Sequence, residues 1–270
     1  MKLSIVTASM GEVDLLRCFF DSFRRTTQGK DYQVCVGFDR DALLVPQILP
    51  REWDQMVAGL NVDWTVAPRM GAMEATNAAF DLASNEWLVW VADDMVFLSC
   101  FDDLRIDGPD PFLNKNRMLA FELLEPYPGS FPPPVDAGTS PETFDLYRAE
   151  AAAFYRLLQC EKRAIPKGFF GSAVFHRSKF VPCPTWESDA GAAYSCGDIS
   201  WFTEIRAAHP DLAFGKMPGN CLYHFGRQTI SRHPERAWPG ERTWGEFNSR
   251  YDMTIQQAWD VLYADSLDLW

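Results

Sequence analysis

The sequence predicts an α/β fold in which a mainly parallel sheet is flanked by helices. In the first hundred residues, short apolar runs alternate with helical patterns, which is typical of β-α-β units. The runs are apolar without interruption, as expected of strands covered by helices on both faces. Polar residues follow directly after several runs, at the edge where parallel sheets bind ligands.

The elements of this first half can be assigned in order. Apolar positions three and four residues apart predict a helix over 12–26, and an Ala-rich run predicts a second over 72–84. The apolar runs predict four strands, at 2–8, 32–38, near 62–67 and at 86–92.

The second half has a different composition. Six prolines and two glycines predict a loop over 125–141, and amphipathic spacing predicts a helix over 142–162. Further elements are predicted as a strand after Gly168, a helix over 198–208 and a short strand at 222–224. We expect one domain over 1–226, with a nucleotide-binding half at 1–100 and an acceptor-side half at 101–226. Residues 227–270 would form a C-terminal loop and helical extension.

Composition excludes several classes of protein. A net charge of −12 and a pI near 4.8 argue against binding to a nucleic-acid backbone, which needs a basic face. No apolar run reaches the roughly 18 residues of a transmembrane segment, and no secretory signal is recognisable. The seven cysteines show no CxxC spacing. We therefore expect a cytoplasmic chain with free thiols.

An acidic pair ends the strand predicted at 86–92. Asp93 and Asp94 follow a buried apolar run directly, and unpaired charge is costly to bury. The pair could cap a turn, or it could bind a divalent cation together with a diphosphate. Asp39 ends a neighbouring strand, and this favours a site at that edge.

Four segments resemble the family-two-type glycosyltransferases, which have the GT-A fold. The resemblance covers residues 2–100 well and 165–230 more loosely. Its parts are the opening strand at 3–10, the second strand with its terminal acid at 36–41, the Gly-Ala-Asn helix at 71–79 and the acidic strand end at 90–95.

The resemblance implies a metal-dependent sugar transfer. The donor would be a UDP- or GDP-type nucleotide diphosphate sugar, the metal Mn²⁺ or Mg²⁺, and the acceptor a glycan or other hydroxyl compound. Asp39 would hold the base and Asp93 the ribose, while Asp94 and His224 would bind the metal. Further nucleotide contacts are implied for Thr7, Ala8, Ser9 and Asn77.

The acceptor side follows from weaker matches. Asp198 would be the general base of an inverting enzyme, although Asp at that position could instead be a helix N-cap. Gly171 and Ser172 would belong to a Gly-rich acceptor loop or to an ordinary strand-entry turn. Trp186 would be a sugar-stacking wall or a core residue.

Two alternatives stay open, the first because of departures from the family pattern and the second because nucleotidyltransferases can share a similar α/β framework. Thr76 and Ala79 replace the usual Arg and Gly, Val91 replaces a first Asp, and Gly197 replaces an acid. A non-catalytic glycan- or protein-binding module is therefore one alternative. A nucleotidyltransferase is the other, although the turn at 9–12 has one Gly and lacks the basic residue such enzymes usually carry.

Overall fold

The chain forms one mixed sheet between layers of helices. The structure, a computed structural model, describes residues 2–27, 31–42, 51–98, 113–124, 147, 150, 172–185, 197–225 and 241–264. Eight strands lie in these residues: β1 (Leu3–Ser9), β2 (Tyr32–Phe38), β3 (Val62–Val66), β4 (Trp87–Trp90), β5 (Met95–Phe97), β6 (Arg117–Leu124), β7 (Ala173–His176) and β8 (Ala213–His224). Their order across the sheet is β3-β2-β1-β4-β7-β6-β8-β5.

The first four strands are parallel, and the rest of the sheet is mixed. Strand β1 pairs with both β2 and β4, so that Val6 lies opposite Cys35 on one side and Trp90 on the other. Strand β7 is antiparallel to β4 and to β6, whereas β6 and β8 run parallel. The carboxyl ends of β1, β2 and β4 therefore meet at one edge.

Six α-helices accompany the sheet in the described residues: α1 (Val13–Thr26), α2 (Arg51–Val57), α3 (Ala72–Leu82), α4 (Gly197–Ala208), α5 (Glu241–Tyr251) and α6 (Ile255–Ala264). A short 3-10 helix occupies Arg177–Lys179. Adjacent residues of β1 alternate between the two cores, Ile5 on one face and Val6 on the other. Helices α1 and α2 cover the first face, and α3 and α4 cover the second together with α5 and α6.

The predicted α/β fold with a mainly parallel sheet and helical C-terminal extension is confirmed. Helix α2 and strands β5 and β6 were not predicted, and β8 begins at Ala213 rather than at residue 222. The predicted loop at 125–141 lies outside the described residues, as does the helix at 142–162 except for Tyr147 and Glu150. The domain boundaries stay predictions.

Two further expectations concern thiols and membranes. In the described residues, Cys18, Cys35 and Cys183 are buried thiols that form no disulfide bond. In the part of the chain that the structure describes, no helix has the length and apolar content needed to cross a membrane. The cytoplasmic location stays a prediction.

Helix α3 approaches β2 at Gly37. A Cβ built on Gly37 would lie 1.9 Å from the backbone oxygen of Ala75 and 3.0 Å from the backbone nitrogen of Ala79. Only glycine permits this approach of the helix to the strand. This close contact places α3 against the end of β2, where the candidate site lies.

We expect Gly37→Ala to lower the free energy of unfolding by roughly 1–3 kcal/mol, because helix backbone rather than a flexible side chain must move. Urea unfolding of the purified protein measures this. Gly245→Ala is the matched control on α5, where a Cβ meets nothing within 4 Å. That change should be neutral or stabilising by about 0.5–1 kcal/mol. Equal stability of Gly37→Ala and wild type would contradict the close approach.

Candidate functional site

An open cleft lies where the carboxyl ends of β1 and β2 meet the start of α3. About 300 Å³ of space, which includes open solvent, lies between its walls. The residues that line it come from the turn after β1, the end of β2, the first turn of α3 and the segment after β4: Ala8, Ser9, Met10, Asp39, Ala72, Ala75 and Asp93. Small side chains at 72 and 75 keep the cleft open beside the helix N-terminus, whose dipole favours anionic ligands.

Asp39 joins β2 to the beginning of α3. Its side chain is 2% exposed. One carboxylate oxygen accepts the backbone N–H of Gly71 at 2.8 Å, and the other accepts that of Asp41 at 3.0 Å. Gly71 has a φ of 126°, a conformation that side chains disfavour. These bonds orient a buried acid at the cleft wall.

Asp93 is fixed by Ser9 across the sheet edge. The Ser9 hydroxyl donates to Oδ2 of Asp93 at 2.6 Å and accepts the backbone N–H of Gly11 at 2.9 Å. Burial, followed by the neighbouring charge of Asp94, raises the pKa of Asp93 to about 7, while the Ser9 hydrogen bond lowers it. A second negative charge close to a buried carboxylate is unfavourable unless a cation or a hydrogen-bonded ligand compensates it.

Asp94 faces His224 rather than the cleft lining. The Nε2 atom of His224 lies 3.1 Å from Oδ1 of Asp94, because β5 and β8 pair with Met95 opposite His224. The backbone N–H of Phe225 donates to the Asp94 carbonyl oxygen at 3.0 Å. Asp93 and Asp94 therefore have different partners. This agrees with their being adjacent in sequence, whereas the two acids of the family's motif are separated by one residue.

The distance between Asp94 and His224 is compatible with two ligands of one divalent cation, and it is equally an ordinary hydrogen-bond distance. Two ligands on adjacent vertices of an octahedral ion lie about 3 Å apart when each bond is about 2.1 Å, which matches their separation. Among the described residues, no group of three or more His, Cys, Asp or Glu side chains is arranged to hold a metal. A site with two protein ligands suits Mg²⁺ or Mn²⁺ held jointly with phosphate oxygens and water.

Asp198 lies in the first turn of α4. Its Oδ1 accepts the backbone N–H of Ile199 at 2.7 Å, and burial raises its pKa to about 6. One turn later, Trp201 packs edge-to-face on Trp90 at 5.5 Å between ring centroids. Since Trp90 ends β4 three residues before Asp93, this aromatic contact connects α4 to the acidic strand end.

Comparisons with known proteins show likeness in structure only. No protein-family model matches the chain, and no curated protein matches it by sequence. A mannosyltransferase from Pyrobaculum calidifontis, solved with GDP-Man and Mn²⁺, superposes with a TM-score of 0.53 at 14% identity, over 98% of this chain and 69% of that one. TarS from S. aureus, solved with UDP, superposes with a TM-score of 0.50 at 12% identity, over 83% of this chain.

The chain has a GT-A-like fold. At these identities the likeness concerns the fold alone. The chain spans 60% of the length of the UDP-bound TarS structure and 36% of a longer one.

The predicted site residues separate into distinct groups. Ala8, Ser9, Asp39 and Asp93 line the cleft, and Asp94 and His224 lie together. Thr7 is fully buried within β1 and does not line the cleft. Ser172 is buried, and its hydroxyl contacts the sulfur of Met95 at 3.0 Å. Gly171 and Trp186 lie outside the described residues.

Sequence reasoning missed part of the cleft wall. Met10, Ala72 and Ala75 line it, and the Gly71 N–H orients Asp39. The available signal was two alanines, Ala72 and Ala75, in the first turn of a helix after Gly71, a pattern that lets a ligand approach the backbone.

Proposed function

We propose that the chain is a metal-dependent glycosyltransferase that uses a UDP- or GDP-type sugar donor and an acceptor hydroxyl, with inversion. The observation that carries this proposal is the cleft at the carboxyl ends of β1 and β2. It places two buried acids, Asp39 and Asp93, at a helix N-terminus, with the Asp94–His224 pair on the same acidic segment. The GT-A-like fold supports it.

The nucleotide would lie in this cleft. Asp39 would accept hydrogen bonds from the base, as its oriented carboxylate permits. Asp93, held by Ser9, would accept from a ribose hydroxyl. Ala8 and Ser9, at the end of β1, would supply direct contacts from the cleft lining. Thr7, which is buried within β1, would support this strand end rather than touch the nucleotide.

Asp94 and His224 would hold Mn²⁺ or Mg²⁺ next to the diphosphate. When bound, the cation neutralises charge that develops on the leaving diphosphate. An imidazole ligand beside the carboxylate suits Mn²⁺ better than Mg²⁺, which prefers oxygen.

Asp198 would be the general base. The acceptor oxygen attacks the anomeric carbon, the carbon–oxygen bond to the diphosphate breaks, and the acceptor proton passes to the Asp198 carboxylate. A nucleoside diphosphate is the leaving group. A pKa near 6 leaves the carboxylate ionised at neutral pH and more basic than an exposed Asp. Gly171, Ser172 and Trp186 would belong to the acceptor side.

Product analysis tests this proposal. The chain is incubated with Mn²⁺ and UDP- or GDP-sugars, with water or simple glycans as acceptor, and the phosphate products are separated. We expect a nucleoside diphosphate and a free or transferred sugar. Sugar 1-phosphate as the leaving group, with the nucleoside monophosphate group transferred, would show nucleotidyl transfer instead. Glycan binding indifferent to nucleotide and metal would show a binding module.

A further inference from the structure

Both polar atoms of the Asn77 side-chain amide form hydrogen bonds within the chain. Its Nδ2 donates to the backbone oxygen of Cys183 at 2.8 Å, and its Oδ1 accepts the backbone N–H of Cys183 at 2.7 Å. Asn77 lies on α3, but unlike Ala72 and Ala75 it does not line the cleft. These two bonds, to the N–H and the C=O of the same residue, hold α3 against the segment that follows β7.

The same segment is held by a second helix. The indole Nε1 of Trp201 donates to the backbone oxygen of Val181 at 2.6 Å. Phe180 packs on Phe80, one turn beyond Asn77, at 4.7 Å between ring centroids, and Phe80 in turn contacts Trp201 at 5.3 Å. Residues 180–183 therefore connect α3, which bounds the cleft, to α4, which carries Asp198.

We propose that Asn77 is a positioning residue, which sets α4 and Asp198 relative to the cleft through residues 180–183 and Trp201, rather than a nucleotide ligand. This inference rests on the proposed function, because it assigns Asn77 to the transfer step. The chain of contacts runs from Asn77 to Cys183, from Val181 to Trp201, and one helical turn back to Asp198. If the carboxylate of Asp198 moves by a fraction of an ångström, proton transfer from the acceptor slows, whereas the nucleotide cleft is unaffected.

The test compares nucleotide affinity with turnover in Asn77→Ala and Trp201→Phe. Affinity is measured by calorimetry with UDP and GDP in the presence of Mn²⁺, and turnover by hydrolysis of the matching nucleotide sugar, where water replaces the acceptor. We expect kcat to fall roughly 10-fold or more in both variants, with nucleotide Kd within about twofold of wild type. Hydrogen exchange at the Cys183 amide should accelerate in Asn77→Ala, because its acceptor is removed.

Two variants serve as controls. Ala72→Leu fills the cleft from the same helix and should lose nucleotide affinity while the Cys183 amide stays protected. Thr203→Ala removes a hydroxyl that bonds within α4, to the Ile199 oxygen, and should change neither kcat nor Kd. If Asn77→Ala fails to fold, Asn77→Asp, which keeps an acceptor for the Cys183 N–H, takes its place.

A tenfold or larger rise in nucleotide Kd for Asn77→Ala would overturn the inference, since it would make Asn77 a nucleotide ligand. Unchanged kcat in both variants would overturn it equally. These outcomes are distinct from failure of the proposed function, in which wild type itself binds neither UDP nor GDP with Mn²⁺.

Discussion

Asp94→Ala is expected to weaken Mn²⁺-dependent nucleotide binding roughly 100-fold or more, which corresponds to about 2.7 kcal/mol. Asp94 is the carboxylate that faces His224 at 3.1 Å, and a site with two protein ligands loses half of them in this variant. Calorimetry with UDP and GDP, with and without Mn²⁺, measures the change. Relief of the repulsion between Asp94 and buried Asp93 opposes the loss of the contact with His224, so we expect the variant to stay folded.

The control for Asp94→Ala is Asp54→Asn, which removes one negative charge from the exposed side of α2. It should leave the affinity unchanged within twofold. Thermal unfolding distinguishes loss of binding from loss of fold. Metal-dependent binding by Asp94→Ala at wild-type affinity would contradict the assignment of this acid.

Asp198→Asn is expected to lower turnover roughly 100-fold or more, the usual contribution of a general base, while nucleotide affinity stays unchanged. The base accepts a proton only as a carboxylate. Since the pKa of Asp198 is raised to about 6, wild-type turnover should fall as the pH drops through about 6 and level off above it. With nucleotide sugar saturating, so that protonation of Asp93 does not limit binding, the variant should lack this acidic limb.

The matched control for Asp198→Asn is Glu204→Gln on the same helix. Glu204 accepts from Arg250 at 3.1 Å and from the Tyr251 hydroxyl at 2.9 Å, a partly exposed contact that contributes little to stability. Its substitution should leave the pH profile of turnover intact. Turnover of Asp198→Asn within tenfold of wild type would remove Asp198 from the mechanism.

Most of the first half of the fold could be predicted because its signals are local. The strands at the start of the chain are short apolar runs with helical spacing between them, and these periodicities suffice for β1, α1, β2, α3 and β4. Helix α2 was missed although Pro50 and two acids mark its start. Strand β6 was missed because its residues, Arg-Met-Leu-Ala-Phe-Glu-Leu-Leu, include several strong helix formers, and a short apolar run of this kind can be either helix or strand.

Strand β8 shows a different limit. It contains Gly215, Pro218 and Gly219, residues that normally end a strand, so only its last three residues were predicted. Pairing with β6, across a bulge between Ala120 and Glu122, keeps the segment extended. Tertiary pairing therefore overrides the local signal, and sequence alone does not contain it.

The acids of the site could be predicted from their places at strand ends, but their partners could not. Ser9 and Asp93 are 84 residues apart, and Asp94 meets His224 only through the register of β5 with β8. For Asn77, the sequence indicated a role but not the partners. Its position in a family-like motif predicts a nucleotide contact, and only the structure reveals the two bonds to Cys183.

Calorimetry of wild-type protein with UDP and GDP, each with and without Mn²⁺, decides whether the cleft binds a nucleotide together with a metal. We expect at least one nucleoside diphosphate to bind, Mn²⁺ to strengthen the binding at least tenfold, and Ala72→Leu to abolish it by filling the cleft. Failure of both nucleotides to bind, with and without the metal, would contradict this expectation.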